Sequence, residues 1–114
     1  MAKTYEPIAT NTLGSSQSTV TFSSIPQTYT DLVAVIDSKV ASGTLQLFSR
    51  VGNGSADTGA NYSGTQLEGS GSAAYSRRWS GQTWWQGYYD YMDTNNGFMQ
   101  TMSIMNYSNT TTYK

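Results

Sequence analysis

Large apolar side chains are scarce in this chain, and their scarcity limits the core that it can build. Ile, Leu, Val and Phe together supply only 17 of the 114 residues. Ordering a chain of this length costs on the order of 170 kcal/mol of conformational entropy, which so few apolar side chains do not comfortably offset. Cysteine and histidine are both absent, so neither a disulfide nor a strong metal site can support the core. We therefore expect contacts between subunits to add stability.

Polar uncharged residues set the fold class and exclude several partners. Ser, Thr, Asn and Gln make up 46 of the 114 residues, a composition that favours turns and exposed strand faces over helices. The net charge is −1, and Arg77 with Arg78 forms the sole basic cluster, which is too small to follow a nucleic-acid backbone. No apolar run approaches the roughly 18 residues of a membrane span. Neither nucleic acid nor a membrane is an expected partner.

Short apolar runs separated by turn residues predict several strands. We predict strands at 18–23, 31–40, 44–51, 62–67 and 98–107, and one or two more within 77–91, with turns at 69–72 and 80–81. Such a series is typical of an all-β, antiparallel β-sandwich, here jelly-roll-like, which a neighbouring chain could complete. Residues 1–16 are expected to form an extended N-terminal arm or edge strand, and residues 17–114 the sandwich domain.

Three of these strands carry more specific expectations. The run at 31–40 is nearly continuous in apolar residues, and 98–107 has apolar residues on both faces, so both strands are predicted to be covered on both sides. The strand at 44–51 is predicted to turn Leu45, Leu47, Ser49 and Val51 inward. Before 98–107, Asn96 and Gly97 form a strong hairpin signal.

The segment 77–91 (RRWSGQTWWQGYYDY) is the candidate functional site. It contains all three tryptophans of the chain and three of the nine tyrosines, with almost no aliphatic residue between them. Three interpretations stay open: a platform on which sugar rings stack, an anchor for subunit or capsid contacts, or rings that fill a core short of Leu and Ile. The candidate binding or interface residues are Arg77, Arg78, Trp79, Trp84, Trp85, Tyr88, Tyr89 and Tyr91.

The chain lacks most of the side chains that usually carry out catalysis. Without His or Cys there is no imidazole base, no thiolate and no nitrogen or sulfur metal site. Carboxylates beside an aromatic cleft could act as a glycosidase pair, but the same residues are at home in turns; they are Asp57, Glu68, Asp90 and Asp93. The loop 53–61 has the oxygen ligands of a weak calcium site, and a turn-rich loop explains it equally well. We predict no enzyme, no cofactor and no metal.

Four stretches of the chain resemble a family of small phage virion proteins found in marine and freshwater phages, cyanophages included. The resemblance lies in 5–10 (YEPIAT) with 12–14 (TLG), 20–26 (VTFSSIP), 29–33 (YTDLV), and a middle part at Gly54, 57–59 (DTG) and 61–63 (NYS). It covers about the first 65 residues well, and 106–110 (NYSNT) weakly. This chain inserts Ser55 and Ala56 where relatives have a tighter turn, and relatives continue through more strands, so a longer sequence or a neighbouring chain is expected to complete the sandwich.

The resemblance implies a role and no site. Family members look like surface components of the particle, either capsid decoration (cement) proteins or tail-fibre modules, built as β-sandwiches. We therefore expect a virion structural protein that decorates the capsid by binding its surface, with the major capsid protein or other virion proteins as partners. A homo-oligomer is expected, and a trimer would fit common virion symmetry. The alternative is a tail-fibre or receptor-binding module that recognises host surface glycans.

Overall fold

The chain forms six short β-strands and no helix in the part that the computed structural model describes, residues 5–86 and 92–110. The strands are β1 (Leu32–Ser38), β2 (Phe48–Ser49), β3 (Tyr62–Gly69), β4 (Ala74–Gln82), β5 (Trp85–Gln86) and β6 (Phe98–Ile104). Across these described ranges no helix is present that could cross a membrane. The predicted all-β class is confirmed.

All pairings among the described strands are antiparallel, and they make three separate two-stranded sheets: β1 with β6, β2 with β5, and β3 with β4. The chain divides into two compact units, one of Met1–Gly43 with Asp93–Lys114 and one of Thr44–Met92, called here the β1–β6 unit and the hairpin unit. The sheets are small and unclosed, so the sandwich or jelly roll stays a prediction. The predicted division into 1–16 and 17–114 also stays a prediction.

The β1–β6 sheet holds the first unit together but has one open face. Its register runs from Leu32 opposite Ile104 to Ser38 opposite Phe98. On the inner face Leu32 and Gln100 are each only 8% exposed. On the outer face Val35 is 68% and Met99 74% exposed. The prediction that both strands are covered on both sides is therefore wrong, because each pairs with one neighbour and no second layer lies over the outer face within the described part of the unit.

Tyr107 ties the chain after β6 to the segment that leads into β1. Its backbone N–H donates to the Thr30 carbonyl at 2.6 Å, and its hydroxyl donates to the Ile25 carbonyl at 3.3 Å and accepts from the Gln27 amide at 2.9 Å. Next to it, the Asn106 N–H donates to the Asp31 carboxylate at 2.5 Å. These bonds close one end of the β1–β6 sheet, next to the pair of Leu32 and Ile104.

Of the predicted strands, one is absent from the structure and another is much shorter than predicted. Residues 18–23 form no strand, although Val20 and Phe22 alternate with threonines, because within the described residues no second strand pairs with them and both side chains stay exposed. Residues 44–51 contain only the two-residue β2 and a single bridge from Leu45 to Met92. Leu45 and Val51, predicted to point inward, are exposed. Alternation defines two faces, and it creates a strand only where a partner backbone is available.

The turn before β6 is held by a side chain, and the first strand of the predicted local hairpin would fall largely on residues 87–91, outside the described residues. One carboxylate oxygen of Asp93 accepts the N–H groups of Asn95 and Asn96, each at 2.7 Å. These bonds hold the pKa of Asp93 below its usual value, the Asn96 N–H contributing most. β6 then pairs with the distant β1. The predicted turn is confirmed, and the hairpin stays a prediction.

The β3–β4 hairpin is the most regular part of the second unit, and it confirms the strand predicted at 62–67. The turn predicted at 69–72 is also confirmed: the Ser70 N–H donates to the Ala73 carbonyl at 2.9 Å, and the Ala73 N–H donates to the Ser70 hydroxyl at 3.2 Å. Gly71 supplies the positive φ of 83° that this turn needs. β4 continues through the turn predicted at 80–81 and ends at Gln82.

The bonds of Tyr107 predict a measurable loss when its hydroxyl is removed. Tyr107→Phe deletes two hydrogen bonds, so we expect the free energy of unfolding to fall by about 1–3 kcal/mol at roughly 0.5–1.5 kcal/mol for each bond. Urea unfolding followed by circular dichroism measures the change. Tyr75→Phe, on the edge of the hairpin, is the matched control and should leave stability within about 0.5 kcal/mol. Equal effects of the two changes would contradict the role given to Tyr107.

Candidate functional site

Strands β3, β4 and β5 gather aromatic rings and amides of the hairpin unit around one cavity. The cavity has a volume of about 220 Å³, and two tryptophans and two glutamines dominate its wall. The full lining is Gly64, Thr65, Gln66, Leu67, Trp79, Trp85 and Gln86. We call it the Trp79 cavity. Its wall is polar and aromatic, so it suits a ligand with both hydroxyl groups and an apolar face.

The position of Trp79 depends on a missing side chain in the facing strand. Gly64 is the cross-strand partner of Trp79, directly after a register shift between Tyr62 and Gly64. A Cβ atom on Gly64 would lie 2.7 Å from Cζ2 of the Trp79 ring, well inside van der Waals contact. The indole therefore rests against the Gly64 backbone, and a larger residue there would displace it.

Three polar atoms of residues that line the Trp79 cavity are buried without a hydrogen-bond partner. They are Oε1 of Gln66, Nε1 of Trp79 and Nε2 of Gln86. The other end of the Gln66 amide donates to Glu68 only at the long distance of 3.5 Å. An unpaired buried donor or acceptor costs about 1–3 kcal/mol, so three around one cavity mark a place where the protein alone leaves polar groups unmatched.

A second cavity of about 230 Å³ shares Trp79 and Gln86 with the first. Arg77, Arg78 and Gln82 complete its lining, so it carries positive charge. The Arg77 guanidinium also lies 5.8 Å from the centre of the Tyr75 ring, within the range of a cation–π contact. Trp79 and Gln86 thus border both a neutral cavity and a basic one.

The predicted site residues fall into three groups. Arg77, Arg78, Trp79 and Trp85 line the two cavities. Trp84 instead packs on Phe48, with ring centroids 5.0 Å apart and planes at 52°. Tyr88, Tyr89 and Tyr91 lie outside the described residues.

The degree of burial leaves the three interpretations of the aromatic segment open. All three tryptophans are half-buried, neither interior nor fully exposed. Sequence reasoning missed Gln66 and Gly64, which come from β3 and not from the aromatic segment. A glycine inside an alternating strand was the available signal, since such a glycine often marks a bulge or a close approach.

The loop around Asp57 uses its carboxylate to shape a turn. One carboxylate oxygen accepts the Gly59 N–H and the other accepts the Asn61 side-chain amide, both at 2.8 Å. In the same loop, the Tyr62 hydroxyl accepts the Val51 N–H at 3.1 Å and lies 3.0 Å from the carbonyls of Val51 and Asp57.

The candidate calcium site in this loop is not supported by the orientation of Asn61. Its side chain points an N–H group at Asp57, and calcium binds oxygen ligands. Within the described ranges no three acidic residues cluster as a metal site would need.

The carboxylates proposed for glycosidase chemistry show structural roles where they are described. Asp57 and Asp93 each hold a turn, and both pKa values are lowered by hydrogen bonds from neighbouring amides. A general acid needs the opposite shift, a raised pKa. Glu68 lies beside Gln66 on β3, and Asp90 lies outside the described residues. The absence of enzymatic activity stays a prediction.

Comparison with protein-family models finds no match, and comparisons with curated proteins and with solved structures find none either. The function must therefore be inferred from the residues and geometry of this chain.

The contact between Gly64 and Trp79 predicts that a single methyl group disturbs the site. Gly64→Ala should lower the free energy of unfolding by about 1–3 kcal/mol through overpacking and change the tryptophan fluorescence. Gly69→Ala is the matched control on the same strand, because its Cβ would meet nothing within 4 Å. The control should be neutral or stabilise by up to about 1 kcal/mol. Urea titrations compare the two, and a neutral Gly64→Ala would show that the ring does not rest there.

The hydrogen bonds to Asp57 predict how the loop responds to acid. They hold the pKa of this carboxyl below its ordinary value of 3.8, the Asn61 amide contributing most and the Gly59 N–H next. The carboxylate therefore stabilises the loop at pH above that value, and the stabilisation is lost as pH falls through the lower folded pKa. Carboxyl ¹³C NMR should show the low midpoint, and Asn61→Ala should move it upward. A midpoint at or above 3.8 would rule out these bonds in solution.

Proposed function

We propose that this chain is a structural protein of a bacteriophage virion that decorates the capsid by binding its surface. The observation that carries the proposal is the open outer face of the β1–β6 sheet. Val33, Val35 and Met99 stand exposed there although the chain is poor in apolar residues. A protein with so few large apolar side chains gains little by exposing them, unless another surface covers them.

The thinness of the interior supports the same proposal. Only Leu32, Met92 and Gln100 are buried among the described residues, and no large side chain is fully buried there. Isolated two-stranded sheets are marginal in water, and stability normally needs more strands or a covering layer. Without disulfides, contact with neighbouring chains is the remaining source of stabilisation. In the assembled particle these contacts complete a jelly-roll-like sandwich.

Low charge suits a permanent contact of this kind. Charged residues make up 11% of the chain, and Asp37 is the one charged residue among the exposed positions of β1 and β6, so docking the outer face desolvates a single carboxylate. Each Å² of apolar surface removed from water contributes about 25 cal/mol, and the gain is repeated in every copy on the shell. The partners are the major capsid protein or other virion proteins, and the protein itself is a homo-oligomer, with a trimer matching the local symmetry of many shells.

A tail-fibre or receptor-binding module that recognises host surface glycans is the second candidate. The observation that favours it is the Trp79 cavity, where two indole side chains and two amides share one wall. The two candidates differ in where the protein sits on the particle and in how many copies are present.

Location and copy number in purified particles test the proposal. Quantitative mass spectrometry and immunogold labelling should find many copies spread over the shell for a decoration protein. A few copies confined to the tail would replace decoration by the second candidate, and absence from the particle would overturn both.

Substitutions on the outer face test which surface binds the particle. Val35→Lys and Met99→Lys place charge on the exposed face and should weaken binding of the purified protein to particles that lack it, with little change in its unfolding midpoint. Ser76→Lys, on an exposed position of β4, is the charge-matched control and should bind as the parent does. Unchanged binding by both face variants would contradict this use of the β1–β6 sheet.

A further inference from the structure

We propose that the Trp79 cavity is a subsite for one sugar ring of a polysaccharide or glycan. The inference deepens the second candidate function, the recognition of glycans, and does not depend on whether the protein sits on the capsid or the tail. Four observations on the hairpin unit carry it: the unpaired polar atoms, the placement of Trp79, the size of the cavity and the basic cavity beside it.

The unpaired atoms match the chemistry of sugar hydroxyls. Oε1 of Gln66 is an acceptor, whereas Nε1 of Trp79 and Nε2 of Gln86 are donors. A hydroxyl group donates one hydrogen bond and accepts others, so adjacent hydroxyls of one ring can serve acceptor and donors together. An anion would leave the acceptor unmatched, and an apolar side chain would leave all three unmatched.

Oε1 of Gln66 and Nε2 of Gln86 are sealed from water in the unliganded arrangement, so binding must turn these two amides toward the ligand, whereas Trp79 contributes the face of its ring. The terminal torsion of a glutamine is broad and changes at little cost. Each of the two amides gains a hydrogen-bond partner for an atom that lacks one in the free protein, so the rotation is favourable once a hydroxyl is present. The free site is thus poised for a polyhydroxylated ligand.

The tryptophan supplies the apolar half of the site. The C–H face of a sugar ring packs on an aromatic face, and Trp79 and Trp85 both border the cavity. The Trp79 ring packs on the backbone of Gly64, which has no side chain to displace it, and this contact holds the ring in place. Rigid placement lowers the entropy lost on binding.

The cavity has room for about one ring. Its volume of about 220 Å³ is below the roughly 300–1,000 Å³ of sites for drug-sized ligands. The neighbouring cavity shares Trp79 and Gln86 and adds Arg77 and Arg78, so the next unit of a chain would meet positive charge. We therefore expect acidic polysaccharides to bind more tightly than neutral ones of the same length.

NMR titration of the isolated full chain tests the subsite. The probes are the methyl pyranosides of glucose, galactose, mannose and glucuronic acid, followed through the indole N–H signals, with the Trp79 signal assigned as the one missing in Trp79→Phe. At least one probe should shift the Trp79 signal in a saturable way. No saturable shift with any probe, nor with short oligomers of glucuronic acid, would overturn the proposal.

Variants separate the subsite from glycan binding elsewhere. Gln66→Met and Gln86→Met keep the side-chain length and remove one polar group each, so each should weaken the affinity about two- to tenfold, the worth of one hydrogen bond. Because each variant removes a buried atom that lacks a partner, and the only hydrogen bond lost among the described residues is the long one from Gln66 to Glu68, neither variant should lower the unfolding midpoint. Trp84→Phe is the control, since Trp84 packs on Phe48 and does not line the cavity. Sugar binding that survives both glutamine variants and Trp79→Phe would overturn this subsite and leave glycan recognition standing.

Discussion

The pairing of β1 with β6 is the interaction on which the first unit depends. It joins Leu32 to Ile104 and Ser38 to Phe98, and so closes a long loop of chain. Asn106 and Tyr107 can bind the segment from Ile25 to Asp31 only because the pairing of β1 with β6 places these two parts of the chain side by side. Closing such a loop costs conformational entropy, which the contacts of the sheet must offset. The sheet therefore needs further burial of apolar surface to be stable.

The two units differ in the kind of binding surface that they expose. In the β1–β6 unit, apolar side chains stand on an open sheet face and offer adhesion without selectivity. In the hairpin unit, tryptophans and glutamines surround a small cavity and offer selectivity with little apolar area. For the virion surface protein proposed above, the first property would serve attachment to the particle and the second recognition of a polysaccharide.

Local patterns in the sequence predicted the strand and turn of the β3–β4 hairpin, but they did not predict which distant strands pair. The strand at 62–67 and its turn were predictable because alternation and a Gly-Ser turn act within a dozen residues. The strand at 18–23 failed because its pattern says nothing about a partner. The candidate site shows the same division: Trp79, Trp85 and Gln86 belong to one conspicuous segment, whereas Gln66 joins them only through the register of two strands.

The register shift between Tyr62 and Gly64 has an evolutionary consequence. Between the Tyr62–Gln82 and Gly64–Trp79 pairs, β4 contains one residue more than β3. Loss of one residue at 80–81 would make the ladder regular and keep both pairs, because the pairs from Gly64–Trp79 to Gly69–Ala74 are set by the turn at the other end of the hairpin. The length of β4 can therefore change at this point during evolution without moving the indole of Trp79 away from Gly64.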